Sequence, residues 1–196
     1  MFLDRAGGAY KPGPTDSTTN TSDLVNQTTI ISAWTVAEPT WQAMTACVAQ
    51  KFAPFNITVT EVDPATATHA EIVFAAAASV PTLQTASNVA DSACQNGVTG
   101  KVKNPIAFVN ITSLTDPNAV CAAVVVAIGS GLGLDTTKAC PDAMTFQNAS
   151  CLTAAFSSTA IACDATALGL MTGCACSAGT TQNSYQMMSA AVGLCN

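Results

Sequence analysis

The chain has 196 residues, of which 49% are hydrophobic and only 9% charged, with a net charge of −6. That length buries a sizeable core in one domain, and the apolar, charge-poor balance excludes disorder. Six scattered Lys and Arg residues against twelve acids exclude a nucleic-acid partner, which requires basic residues to neutralise phosphates.

In chain order, Met1 to Arg5 reads as a first strand. It lacks the basic start and long apolar stretch of a signal peptide, so a leader is expected to have been removed or to precede this numbering. The Gly/Pro/Thr/Ser/Asn-rich stretch from Gly7 to about Asp23 is predicted as a loop, free to stay extended and reach a neighbour. Val25 to Ser32 is a second strand or the approach to one. From about Ala37 to Phe52, Trp41, Met44, Val48 and Phe52 recur at helical spacing, and Pro54 stops the helix. Phe55, Ile57 and Val59 alternate with polar residues as in a half-buried strand. Ala70 to Ala75 is a short apolar run suited to an interior strand, and Ala76 to Gly100 is rich in loop signals. Pro105 to Val109 is the last clear strand.

Asp116 followed by Pro117 is the strongest helix start in the sequence: an N-cap acceptor, then a residue whose missing N–H costs nothing at the first helical position. The helix is predicted over Asn118 to about Ser130 and is apolar nearly all round, hence buried. The apolar run from Ala119 to Leu134 is shorter than the roughly 20 residues that a membrane span needs. Beyond Gly133 the texture changes to short Cys-rich loops, closed by a helix from about Asn183 to Val192 with Gly193 as its stop.

Nine cysteines and a single histidine point to disulfides in an oxidising compartment rather than to a zinc knuckle. Cys47, Cys94, Cys121, Cys140, Cys151, Cys163, Cys174 and Cys176 are the expected disulfide formers. An odd total leaves at least one thiol free or paired between chains. Cys140 and Cys151 stand eleven residues apart, a spacing that suits a local bridge, and Cys163, Cys174 and Cys176 are expected to supply another. Sequons at Asn20, Asn26, Asn56, Asn110 and Asn148 would permit glycosylation in a eukaryote.

The segment Val126-Ala127-Ile128-Gly129-Ser130-Gly131-Leu132-Gly133-Leu134-Asp135-Thr136 has the frame of H-E-x-x-H-x-x-G-x-x-H, with its glycine at Gly133. Met144 lies eight residues beyond Thr136, in Pro141-Asp142-Ala143-Met144-Thr145-Phe146. In both features the chain resembles the secreted bacterial members of the metzincin zinc-protease family, whose Met-turn forms a floor beneath the metal. The resemblance implies an α+β fold: a twisted mixed sheet with a backing helix and a signature helix (upper lobe, about 1–133), then a Cys-rich, disulfide-stapled lower lobe (about 134–196), together one domain over 1–196. It also implies a degenerate site. The three ligand positions hold Val126, Ser130 and Thr136, and the general-base position holds Ala127. None of these can bind a catalytic zinc or take a proton from its water, so a pseudoenzyme without metal or cofactor is expected.

Two other patterns fail. Val124 to Gly133 lacks the third glycine of a dinucleotide loop, where Leu134 stands. Ser130 between glycines lacks the frame of a nucleophile elbow at Ile128 and Leu132. His69 and Glu71, two residues apart, read as a partly exposed polar strand edge. The leading functional expectation is a secreted structural protein that assembles with copies of itself in a filament, matrix or surface layer, since low charge density favours association. The alternatives are a monomeric pseudoprotease that holds a peptide or protein ligand in the old substrate cleft, and a hydrolase rebuilt around His69 or Ser130.

Overall fold

A computed structural model describes residues 1–84, 86, 88–90, 101–145, 154–164, 174–176 and 179–195. Its elements run in chain order: β1 (Phe2–Asp4), β2 (Gly8–Pro12), β3 (Thr21–Ser22), β4 (Thr29–Ile31), α1 (Glu38–Phe52), β5 (Glu71–Ala75), β6 (Asn88–Ala90), β7 (Ile106–Asn110), α2 (Pro117–Gly131), β8 (Ile161–Ala162), β9 (Thr181–Gln182) and α3 (Ser184–Val192). The fold is mixed α+β. The main sheet has the order β1-β5-β7-β6; β1, β5 and β7 are parallel, and β6 closes one edge antiparallel to β7.

The two inner strands read EIVFA and IAFVN and are buried along their whole length, as parallel strands covered on both faces should be. Alternate side chains go to opposite faces, and each face has its own cover. Ile72, Phe74, Ala107 and Val109 join Leu3 against Trp41, Met44, Val48 and Phe52 of α1 and the apolar surface of α2. Val73, Ala75, Ile106 and Phe108 pack instead against Tyr10, Val25, Ile31, Val80 and Leu83. The second cover comes in part from a small sheet of order β3-β2-β4, through Tyr10 and Ile31.

That small sheet corrects the expectation of an extended arm over Gly7 to Asp23. Tyr10 is wholly buried in the second core, which holds β2 down, and β4 pairs with β2 antiparallel. The turn at residues 17–19 is capped by Asp16, whose Oδ1 accepts from the Thr18 N–H at 3.0 Å. Ser17 Oγ donates to the His69 carbonyl at 2.7 Å. The turn-forming residues of this stretch serve tight turns within a folded sheet. The expected strand at Phe55 to Val59 also gives way. Phe55 makes a single bridge to Leu194 and Thr60 one to Phe2, because the chain turns straight off the end of α1, with Phe55 N–H bonded to the Phe52 carbonyl.

Both long helices carry proline in the first turn. Asp116 caps α2 through Oδ1 on the Asn118 N–H at 2.9 Å, whereas Ala37 before α1 offers no side-chain cap. Ten residues of α2 are buried, from Val120 to Gly131, so the helix is apolar all round because it is enclosed all round. A disulfide between Cys47 and Cys121 ties α1 to α2 across 74 residues of sequence. Within Ala76 to Gly100, expected to be loop-rich, lie two short 3-10 turns and β6; residues 91–100 are outside the described residues. The last clear strand expected, Pro105 to Val109, is β7, and only the two-residue pair β8–β9 follows it among the described residues.

Candidate functional site

Helix α2 ends where the motif begins to matter. At about 100° per residue, Val126, Gly129 and Ser130 share one face. The Leu132 N–H bonds back to Ile128 and Gly129, and the Leu134 N–H to Gly129. Gly133, at φ +92°, turns the chain away in a conformation that a residue with a Cβ rarely adopts. Asp135 and Thr136 then enter the lower region. Val126, Ala127 and Thr136 are buried and Ser130 is half-buried.

Met144 is brought to the same place. It is fully buried, its carbonyl accepts from the Thr137 N–H at 2.9 Å, and its N–H donates to Asp142 Oδ1 at 3.2 Å. Its thioether lies directly on Gly129: a Cβ there would stand 2.3 Å from Met144 Sδ. The face that carries Val126 and Ser130 is therefore floored by a methionine, and a side chain at 129 would have to displace its thioether. The surroundings are apolar, and the four motif positions offer one half-buried hydroxyl, one buried hydroxyl and two aliphatic side chains. Chemically this is core.

The polar groups next to it act as latches. Asp135 is buried, and its carboxylate accepts from the N–H of Ala175 at 2.7 Å and of Cys176 at 2.9 Å. Gln182 closes a two-way bond with the Asp135 backbone, accepting from its N–H at 2.8 Å and donating to its carbonyl. Asp142 accepts from the Ser184 hydroxyl at 2.6 Å and so joins the Met144 loop to α3. One carboxylate and two sulfurs, those of Asp135, Cys163 and Cys174, lie within 4.8 Å of one another. Metal binding needs thiolates, and here the two sulfurs are joined in a disulfide while both Asp135 oxygens are occupied by backbone N–H groups. The trio is a staple with a latch.

Of the other expected cysteines, Cys140 and Cys176 are also disulfide-bonded. Cys94 and Cys151 lie outside the described residues, and with Cys151 the expected Cys140–Cys151 bridge. Cys195 is an exposed free thiol.

His69 and Glu71 are not the partly exposed edge that their spacing suggests: both are buried, and they turn to different partners. His69 Nδ1 lies 2.6 Å from the Ala67 carbonyl, and among the described residues no hydrogen bond joins His69 to Ser130. Glu71 belongs to a cluster that sequence reasoning missed. Tyr10 Oη stands 2.9 Å from Asp4 Oδ2 and 2.8 Å from Glu71 Oε1, while Asp4 Oδ1 takes the N–H groups of Ala6 and Gly7. One phenolic proton cannot serve two carboxylates at once, so the cluster is short of a donor. Burial pushes the Glu71 carboxyl up to about 7; the Tyr10 hydroxyl partly offsets this, and the charges of Asp4 and Asp63 add to it. Burial, then Glu71 and Asp4, push the Tyr10 hydroxyl up as well. Glu71 Oε2 has no hydrogen-bond partner among the described residues. The only early signal was Tyr10 itself, an aromatic residue inside a turn-rich stretch.

Comparison with protein-family models, curated proteins and solved structures finds no match to this chain.

Proposed function

We propose that the chain is an extracellular, catalytically inactive protein of metzincin-like build that works by associating with further copies of itself. The metzincin-like reading draws support from the positive φ of Gly133 at the end of α2 and from Met144 lying on Gly129. Inactivity is favoured by the residues themselves: Val126, Ala127, Ser130 and Thr136 supply neither a metal-binding trio nor a base. The disulfides are compatible with an oxidising compartment. Burial of Val126, Ala127 and Thr136 speaks for a filled core over an open cleft that holds a peptide.

The observation that carries self-association is the outer edge of the small sheet, which no other strand pairs among the described residues. β4 is an outer strand, and Ile30 in its middle is 68% exposed. An exposed edge strand with an apolar side chain and no charge is a template for another strand. The chain as a whole carries little repulsion, because only 9% of its residues are charged and Asp4, Glu71, Asp135 and Asp142, four of the twelve acids, are buried.

The test is sedimentation of the purified, non-reduced protein over a wide concentration range, in dilute buffer and in molar salt. Oligomers are expected in both, because few ion pairs contribute, and Ile30→Lys is expected to shift them to monomer without changing the circular dichroism. A strictly monomeric wild-type protein at high concentration would refute the reading.

A further inference from the structure

The edge strand β4 is linked to the main sheet through its neighbour β2 and one cluster of acids. Tyr10 of β2 sets its hydroxyl between Asp4 of β1 at 2.9 Å and Glu71 of β5 at 2.8 Å, so β2 is fastened to two strands at once. Along one edge β2 carries β4, pairing Gly8 with Ile31, Ala9 with Ile30 and Tyr10 with Thr29. Asp4 also holds the turn into β2, through the N–H groups of Ala6 and Gly7. That turn lies so close to β4 that a Cβ on Gly7 would stand 2.3 Å from the Ile31 carbonyl oxygen. Glu71 is therefore one strand away from exposed Ile30.

The cluster has more acceptors than protons. Tyr10 has one proton to give, both carboxylates are buried, and Glu71 Oε2 has no hydrogen-bond partner among the described residues. The charges that act on Glu71 are those of Asp4 and of Asp63, both acidic. The bases nearest in sequence turn elsewhere: Arg5 to Glu38 and the Val36 carbonyl, His69 to the Ala67 carbonyl, and Lys11 is exposed. The rest of the second core brings apolar side chains, among them Ile31 of β4, Ile106 and Phe108 of β7, and Val80 and Leu83. Burial first, then the two acidic neighbours, push the Glu71 carboxyl up to about 7. A proton on Glu71 supplies the missing donor. Without it, two charges share one hydroxyl in a place closed to solvent, which is costly.

We propose that the Asp4–Tyr10–Glu71 cluster is a proton-controlled lock between the small sheet and the main sheet, and that through β4 it makes association of copies of this chain depend on pH. The second part rests on the self-association proposed above. With Glu71 protonated the lock is closed, and β4 is held as a template for another strand. With Glu71 ionised, Tyr10 gives up its place so that water reaches both carboxylates, and β2 and β4 loosen together. Glu71 binds its proton more tightly in the closed state than in the open one, where its carboxyl returns to roughly 4.3. Closing is therefore favoured at low pH, weakens about tenfold per pH unit above roughly 4.3, and levels off above about 7.

Hydrogen–deuterium exchange of the whole, non-reduced chain at about pH 5 and pH 7.5, corrected for intrinsic rates, reads the lock directly. Protection over residues 8–12 and 29–31 should fall about a hundredfold relative to β7 between the two, and should not fall in Glu71→Gln. Asp4→Asn removes one of the two charges and should keep a smaller fall, because Glu71 stays buried. Sedimentation in the same buffers reads the edge. The net charge also shrinks towards the isoelectric point of about 4.3, which favours association at low pH in any variant, so Glu71→Gln is the reference. Beyond the change seen in that variant, the wild type should associate at least about tenfold more tightly at pH 5 than at pH 7.5. Equal protection at the two pH values, or a fall that Glu71→Gln retains, would overturn the lock. A fall in protection with association that merely follows Glu71→Gln would overturn its control of the edge. A wild type that is monomeric at both pH values would sink self-association and the second part with it, while exchange still decides the first.

Discussion

Asp135 and Glu71 are equally buried, at 3% exposure each, yet their surroundings differ in kind. Asp135 meets two backbone N–H groups, those of Ala175 and Cys176, one on each oxygen, so its charge is met by donors that cannot leave. Among the described residues, Glu71 has one shared hydroxyl on Oε1 and no hydrogen bond on Oε2, with the Asp4 carboxylate across the same hydroxyl. Burial of a charge is tolerated only where hydrogen bonds replace water. The lower region meets that condition and so keeps a permanent latch. The N-terminal region does not, and there burial pushes the Glu71 carboxyl up to about 7.

The largest expected effect tests the latch. Asp135→Ala removes two charge-assisted bonds and strands the N–H groups of Ala175 and Cys176, beside the Cys163–Cys174 disulfide. A loss of about 3–5 kcal/mol in denaturant unfolding is expected. A loss under about 1 kcal/mol would mean that water replaces the carboxylate and that the contrast with Glu71 is wrong.

Next comes the proton. The Glu71 carboxyl is raised to about 7 in the fold, against roughly 4.3 in an unfolded chain. The folded state therefore binds the proton more tightly, and this contribution is fully present below about pH 4 and is lost as pH rises through 7. Its size is about 4 kcal/mol. Glu71→Gln keeps the shape and cannot ionise, so the difference between wild type and variant in urea midpoints should grow across that window and level off above it. A constant difference from pH 4 to pH 9 would show that Glu71 does not titrate in the folded protein.

Much of the framework was legible because it rests on local rules. The stripe of Trp41, Met44, Val48 and Phe52, the Asp116–Pro117 start and the apolar runs of β5 and β7 each declare their element within a few residues. The buried polar groups were not legible, because their partners are remote. Tyr10 meets Glu71 across 61 residues and Asp135 meets Gln182 across 47, and no local spacing encodes either pair. The turn-forming residues from Gly7 to Asp23 suggested a loose arm because Gly, Pro and Thr look alike in a loop and in the tight turns of a small sheet; buried Tyr10 is what separates the two cases. At the motif, the sequence names the side chains, Val126, Ala127, Ser130 and Thr136, but the contact of Met144 with Gly129 depends on how the chain returns beneath α2.

The smallest expected effect separates two causes for the proton on Glu71. Tyr10→Phe retains the ring, which stands edge-on to Phe108 with centroids 5.4 Å apart, so the second core should stay packed. It removes only the hydroxyl between Asp4 and Glu71, and a loss of about 1–2 kcal/mol at pH 5 is expected. Burial is the leading cause of the raised Glu71 carboxyl, and the hydroxyl works partly against it. The decline of stability between pH 4 and 7 should therefore survive in Tyr10→Phe and vanish only when Glu71→Gln is added. If Tyr10→Phe alone abolished the decline, the hydroxyl and not the desolvated pocket would be what keeps Glu71 protonated. The contrast with Asp135 would then rest on one hydrogen bond rather than on burial without donors.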